Sequence, residues 1–148
     1  MPLLKTAFDS SYAALSPSGE LLAFSANDTG RSEIYVQRFQ GGDSPKLVGD
    51  RRRVSRDGGN GARWRRDGKE LFFLSRNRQV MAVTAPATGI EFGPPAALFR
   101  LPTAYHSLAP VTVGYEVSPD GQKFLVPMRK AAGAPLQVVV NWQAGLKG

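Results

Sequence analysis

One short turn pattern occurs three times in this chain of 148 residues. The copies read Ser16-Pro17-Ser18-Gly19, Arg65-Arg66-Asp67-Gly68 and Ser118-Pro119-Asp120-Gly121. Proline at the second position fixes φ, an aspartate side chain accepts hydrogen bonds within the turn, and glycine tolerates a positive φ. Because a turn of this chemistry joins two antiparallel strands, we predict a hairpin at every copy. The predicted structural residues of these turns are Gly19, Asp67, Gly68, Asp120 and Gly121.

Strand signals surround the turns in groups of one, four, four and three. They fall at residues 3–7; at 12–15, 21–25, 33–39 and 52–56; at 62–65, 70–75, 79–85 and 97–101; and at 113–117, 123–128 and 136–142. No segment shows the 3.6-residue apolar period of a helix. The turn glycines at positions 19, 68 and 121 lie 49 and 53 residues apart. That distance is typical of one blade of a β-propeller.

The sequence therefore predicts an all-β fold, a partial β-propeller of about three four-stranded antiparallel blades. Residues 1–9 are the expected outer strand of a preceding blade, 10–58 and 59–104 are two blades, and 105–148 are an incomplete last blade and tail. Since propellers commonly have about four to eight blades, we expect the chain to be part of a larger ring. Two isolated copies could exchange residues 3–7 and close a homodimer of about six blades. The alternative is a marginally stable monomer that aggregates through its exposed strand edge.

The composition excludes several classes of site. The chain has no cysteine, so it can form neither disulfides nor thiolate metal centres. No apolar run approaches the ~18 residues of a membrane-spanning helix, and the first residues lack the pattern of a signal peptide. We therefore expect no membrane insertion by this segment.

Four stretches carry a family likeness: residues 4–9 (LKTAFD), 30–36 (GRSEIYV), 61–74 (GARWRRDGKELFFL) and 139–147 (VVNWQAGLK). Through them and its turns the chain resembles the TolB-like, WD-repeat-like propeller repeats with a Ser-Pro-Asp-Gly turn. It is most similar to the C-terminal end of the propeller of bacterial serine/threonine protein kinases. Ser18 and Arg66 depart from the turn pattern. The resemblance implies a sensing or protein-interaction module on the extracytoplasmic or periplasmic side of a bacterial cell.

The sequence contains no recognisable catalytic centre. The kinase motifs Val-Ala-Ile-Lys and His-Arg-Asp are missing, and Glu91-Phe92-Gly93 has glutamate where the metal-binding aspartate would stand. His106 is the single histidine of the chain, and no serine lies in a nucleophile elbow that it could serve. We therefore predict that the chain is not an enzyme and that it has no cofactor and no metal site.

Positive charge is concentrated in residues 51–78, which hold ten of the nineteen lysines and arginines but three of the twelve carboxylates. The candidate surface for an anionic partner is Arg51, Arg52, Arg53, Arg56 and Arg65. Arginine forks suit carboxylates and phosphates. An acidic protein or polyanion and a plain solvated blade edge are both compatible with this pattern. Nucleic acid is disfavoured because no aromatic stacking platform accompanies the cations.

The leading functional expectation is a non-catalytic module that binds a protein partner or small ligand at a propeller face, in a larger bacterial signalling protein such as a serine/threonine kinase. Propellers present loop-built surfaces at both ends, which suits recognition. Two alternatives stay open: a propeller that gates a serine hydrolase within a longer protein, and a TolB-like periplasmic scaffold.

Overall fold

The computed structural model describes residues 10–27, 30–101, 115–129 and 135–141. These residues form eleven β-strands in three antiparallel sheets, which confirms the all-β prediction. The first sheet contains β1 (Ser10–Leu15), β2 (Leu21–Ala26), β3 (Glu33–Gln40) and β4 (Lys46–Arg53). The second contains β5 (Asn60–Trp64), β6 (Glu70–Leu74), β7 (Gln79–Thr84) and β8 (Ala96–Arg100). The third contains β9 (Glu116–Val117), β10 (Lys123–Arg129) and β11 (Pro135–Asn141).

Each sheet is a meander in which sequential strands are neighbours, as expected for propeller blades. The predicted strand at residues 3–7 lies outside the described residues, and so does His106. The proposed exchange of residues 3–7 between two copies therefore stays a prediction. No helix able to cross a membrane occurs in the described ranges.

The fourth strand was misplaced by the sequence interpretation, which put it at residues 52–56. The structure has β4 at Lys46–Arg53, paired with β3 through Val36–Arg52 and Phe39–Leu47. This strand lies at the edge of its sheet and is almost wholly exposed, so its side chains carry no alternating apolar signal. Backbone pairing with β3, which cannot be seen in the composition of residues 46–53, defines the strand.

The three repeated turns share one geometry. Gly19, Gly68 and Gly121 have φ of 80°, 75° and 72°, as predicted. Their amides donate to the carbonyls of Ser16, Arg65 and Ser118 at 2.8, 2.8 and 2.9 Å. Since each turn is closed by the same bond and the same left-handed residue, each copy forms the predicted hairpin.

The hydrophobic core lies between the sheets, and β6 belongs to both halves of it. Leu71 and Phe73 are buried in a cluster with residues of the first sheet, including Ile34. Phe72 faces the other way and is buried with Phe124 of the third sheet, the two rings meeting edge to face at 5.2 Å. Side chains alternate across a strand, so an unbroken apolar run is what a doubly covered strand requires.

Side chains of the first strands tie each blade to the one before it. Trp64 in β5 donates its indole N–H to the carbonyl of Ala14 in β1 at 2.9 Å. Tyr115, directly before β9, donates its hydroxyl to the carbonyl of Gly61 in β5 at 2.7 Å. The two aromatic rings pack between blades, and each also donates a hydrogen bond to the preceding blade. Each such bond fixes a blade relative to the one before it.

Two turn carboxylates have lowered pKa values. The Arg65 guanidinium, assisted by the Lys69 amide, lowers the pKa of Asp67 from 3.8 to about 2. The Ser118 hydroxyl, assisted by the Gln122 amide, lowers the pKa of Asp120. Hydrogen bonds to the ionised form are the leading cause at both positions, so each turn favours a charged aspartate.

We expect Gly68→Ala to lower the free energy of unfolding by about 1–2 kcal/mol, because Gly68 has a positive φ that an L side chain adopts at a cost. Gly41→Ala is the matched control. Its added methyl meets the Phe39 ring at 3.6 Å, an ordinary contact, and Gly41 has no positive φ. Urea denaturation of both variants measures the difference. Equal unfolding free energies in the two variants would contradict the turn geometry.

We expect the stability of the chain to fall as the pH is lowered from about 4 towards 2. A carboxyl whose pKa is lower in the folded state stabilises the fold above its unfolded pKa, and that contribution is lost as the carboxyl is protonated. Denaturation midpoints measured from pH 5 to pH 2 should therefore decline less in Asp67→Asn than in the parent chain. An identical decline in the two proteins would show that Asp67 does not contribute to the loss of stability at low pH.

Candidate functional site

The antiparallel strands give the molecule two ends with different loops. The end that carries the repeated turns at residues 16–19, 65–68 and 118–121 is called the turn end here. The opposite end carries residues 27 and 30–32 between β2 and β3, the β4–β5 connection at 54–59 and the β6–β7 turn at 75–78, and is called the crossover end. Loops at the ends of a rigid scaffold are the usual place for recognition.

The structure divides the five arginines of the predicted anionic-partner surface between these ends. Arg51, Arg52 and Arg53 lie on the edge strand β4, and Arg56 follows in the β4–β5 connection. Arg65 lies in a repeated turn, at the other end. The first four are therefore neighbours, and Arg65 is not brought to them.

Two of the β4 arginines already have contacts within the chain. The Arg51 guanidinium lies over the Tyr35 ring, 4.3 Å from its centroid, in a cation–π arrangement. Arg52 pairs with Glu91 of the β7–β8 connection at 2.6 Å and so joins the first two blades. Both side chains therefore stabilise the edge strand β4 through contacts with other elements.

Arg65 forms two ion pairs within its own hairpin. It pairs with Asp67 at 2.6 Å and with Glu70 at 2.9 Å, and Asp67 is the leading cause that raises its pKa. Its aliphatic part lies so close to Gly121 that a methyl there would approach it to 2.6 Å. Arg65 therefore connects the turns of the second and third blades.

Six arginines lie at the crossover end, and we name this set the crossover face. Its members are Arg31, Arg53, Arg56, Arg76, Arg78 and Arg100. Sequence reasoning had placed two of them, Arg53 and Arg56, in the candidate surface. The other four come from three separate connections or strand ends, so their proximity is visible only once the strands are paired.

Two members of the crossover face, Arg31 and Arg76, contact the β4–β5 connection that carries Arg56. Arg31 donates from Nη2 to the carbonyl of Arg56 at 3.0 Å. The side chain of Arg76 lies over Gly58, where a methyl group would approach its Cγ to 2.5 Å. The β6–β7 turn of the second blade thus packs on the β4–β5 connection, which brings cations of both blades together.

A buried carboxylate anchors the connection that presents Arg56. Glu33 is fully buried, pairs with Nε of Arg31 at 2.8 Å, and accepts hydrogen bonds from the Ser55 hydroxyl and the Gly58 amide. The same Ser55 oxygen accepts the Ile34 amide at 2.8 Å. A buried carboxylate needs hydrogen-bond partners, and those of Glu33 fasten the β4–β5 connection to β3.

Carboxylates at the crossover end are few. Among the described residues there, Glu33 is buried, and Asp57 is exposed and 4.0 Å from Nη1 of Arg31. The turn end differs, because its described residues include as many carboxylates as cations, six of each. The cations are Arg38, Lys46, Arg65, Arg66, Lys69 and Lys123, and the carboxylates are Glu20, Asp43, Asp67, Glu70, Glu91 and Asp120. The excess positive charge therefore lies on the crossover face.

The described residues form no cluster of three or more histidine, aspartate or glutamate side chains that could bind a metal ion. The chemistry that the crossover face offers is that of guanidinium groups: charge and paired hydrogen-bond donors for carboxylate or phosphate groups.

Comparison with known proteins assigns the fold. No protein-family model matches the chain, and no curated protein matches it significantly. An oligogalacturonate lyase from Vibrio parahaemolyticus is similar with a TM-score of 0.63 at 11% identity, over 97% of this chain and 41% of that one. TolB from Acinetobacter baumannii is 14% identical over 95% of this chain and 43% of that one, with a TM-score of 0.37. The chain thus spans about two fifths of each protein's length, and the likeness to the lyase confirms a β-propeller fold.

Proposed function

We propose that this chain is a non-catalytic β-propeller segment that serves as a protein-interaction module, and that its crossover face binds an acidic segment of a partner protein. The observation that carries the proposal is the set of six arginines opposite one exposed carboxylate in the described part of that face.

Most of these arginines form no ion pair with another residue that the structure describes. Arg53, Arg56, Arg76, Arg78 and Arg100 form none with the carboxylates of the described ranges, in contrast to Arg52, Arg63 and Arg65 elsewhere. Concentrating like charges costs free energy unless a partner of opposite sign is present. An acidic segment supplies that partner and matches the fork geometry of the guanidinium group.

The crossover face is also held in place before any partner binds. Glu33 and Ser55 fasten the connection that carries Arg56, and Arg76 rests on Gly58 of the same connection. Little ordering is then required on association, which favours affinity. This arrangement supports a recognition surface over a merely solvated loop.

The larger context of the module is proposed from the sequence resemblance. We place the segment at the C-terminal end of the propeller of a bacterial signalling protein such as a serine/threonine kinase, on the extracytoplasmic or periplasmic side. A propeller that gates a serine hydrolase and a TolB-like periplasmic scaffold are the alternatives. The likeness to the lyase concerns the fold alone and brings no activity to this chain.

We expect a fluorescently labelled polyglutamate peptide to bind the chain at low ionic strength and to be released by added salt. Exposed charge pairs are screened, because the Debye length falls from about 10 Å at 0.1 M to about 3 Å at 1 M salt. Anisotropy titrations at several salt concentrations measure this effect. Affinity that does not depend on salt would exclude an electrostatic surface.

The location of that binding is tested by two double variants of equal net charge. Arg56→Gln with Arg76→Gln should weaken peptide binding by about fivefold, from two lost pairs of ordinary exposed strength. Glutamine keeps the Cγ and Cδ of Arg76 that rest on Gly58. Arg66→Gln with Lys123→Gln removes two cations at the turn end and should leave affinity close to that of the parent. Equal weakening by both variants contradicts the assignment to the crossover face.

We expect the chain neither to bind ATP·Mg nor to transfer phosphate, since none of the required motifs is present. Calorimetric titration with ATP and Mg²⁺ measures binding. Incorporation of labelled phosphate into a protein substrate measures phosphate transfer. Micromolar ATP binding or any turnover would overturn the non-catalytic assignment.

A further inference from the structure

A cleft of about 500 Å³ opens at the turn end, between the first and second blades. Pro17, Leu21 and Arg38 line it from the first blade, and Trp64, Lys69 and Pro86 from the second. Its volume lies in the range of sites that hold small organic molecules, roughly 300–1,000 Å³. The crossover face is at the opposite end, so this cleft is a separate feature of the molecule.

The walls of the cleft are fixed by contacts between the blades. Trp64 is held by its hydrogen bond to Ala14 and by contact with Phe92, whose ring centroid is 6.1 Å away. The rim is narrow at the turns, where a methyl on Gly68 would meet Pro17 at 3.7 Å. A tryptophan with two prolines and a leucine gives an apolar interior that suits an aromatic or aliphatic body.

The cleft lining holds two cations, Arg38 and Lys69, and two carboxylates, Glu20 and Asp67. Neither cation side chain pairs with a carboxylate in the part of the chain that the structure describes. Of the two lining carboxylates, Asp67 is paired with Arg65, which leaves Glu20. Within the described residues, two lining cations and one lining carboxylate therefore form no ion pair.

We propose that this cleft is a binding site for a small organic carboxylate with an aromatic body. The ring lies against Trp64 and the prolines, and the carboxylate is bound by Arg38 and Lys69. The module then has two binding sites, one at each end. A ligand in the cleft contacts both blades at once, so its binding stabilises their junction by mass action.

The first experiment uses three probes on the unmodified chain: 2-naphthoate, its neutral amide 2-naphthamide, and acetate. We expect naphthoate to bind about tenfold more tightly than naphthamide, the usual difference for a charge-assisted hydrogen bond. Acetate, which lacks the apolar body, should bind more weakly than either. Calorimetry measures all three, and chemical shifts of the Trp64 indole N–H report whether the naphthyl ring enters the cleft.

The second experiment compares Arg38→Gln and Lys69→Gln with Arg66→Gln, a turn-end cation that does not line the cleft. Each of the first two should weaken naphthoate binding by about three- to tenfold and leave naphthamide unchanged. Arg66→Gln should match the parent. Circular dichroism establishes that the three variants are folded.

Three results would overturn the site: equal affinity for naphthoate and naphthamide, no naphthoate binding at about 1 mM, or equal weakening by Arg66→Gln. Binding of polyglutamate that is lost in Arg38→Gln and Lys69→Gln, without naphthoate binding, would assign the cleft to acidic peptides and likewise refute a small-molecule site. The comparison of two ligands on the parent chain does not depend on any variant folding. Failure here leaves the proposal for the crossover face untouched, because that proposal is tested by substitution of Arg56 and Arg76, which do not line the cleft.

Discussion

The packing of β6 between its neighbours is the constraint on which the rest of the molecule depends. Leu71 and Phe73 contact the first blade, and Phe72 contacts the third, so one five-residue strand fills two inter-blade cores. Apolar area buried on both faces is a large stabilising contribution for so short an element, at about 25 cal/mol per Å². The hydrogen bonds from Trp64 and Tyr115 then fix the blades relative to one another. Both proposed sites lie at these junctions.

The two ends of the same junction have different chemistry because different elements build them. At the crossover end, the buried Glu33 is fully compensated by Arg31, Ser55 and Gly58, and the loop around it presents arginines outward. At the turn end, carboxylates and cations alternate along the repeated turns and largely neutralise one another, as Arg65 and Asp67 do. One end therefore carries a concentration of arginines, and the other contains a small cleft with apolar walls.

The predictions from sequence succeeded where the signal was local. The glycines at the turn positions have the expected positive φ, and the strand signal at residues 70–75 coincides with β6. The prediction for β4 was wrong because an exposed edge strand needs no apolar alternation and is defined by pairing with β3. The candidate surface for an anionic partner was chosen by closeness along the chain. It therefore included Arg53 and Arg56 of the crossover face and missed the four arginines that come from other elements.

The sequence by itself determined the repeat, the hairpins and the all-β class, because turn chemistry and strand periodicity act within a few residues. The tertiary structure alone decided which cations face solvent together. The pairing of strands brought Arg31 and Arg76 into contact with the β4–β5 connection. It placed Arg65 at the turn end, beside Gly121 and in ion pairs with Asp67 and Glu70. Contacts of this kind join residues distant along the chain, and Coulomb energy depends on separation in space.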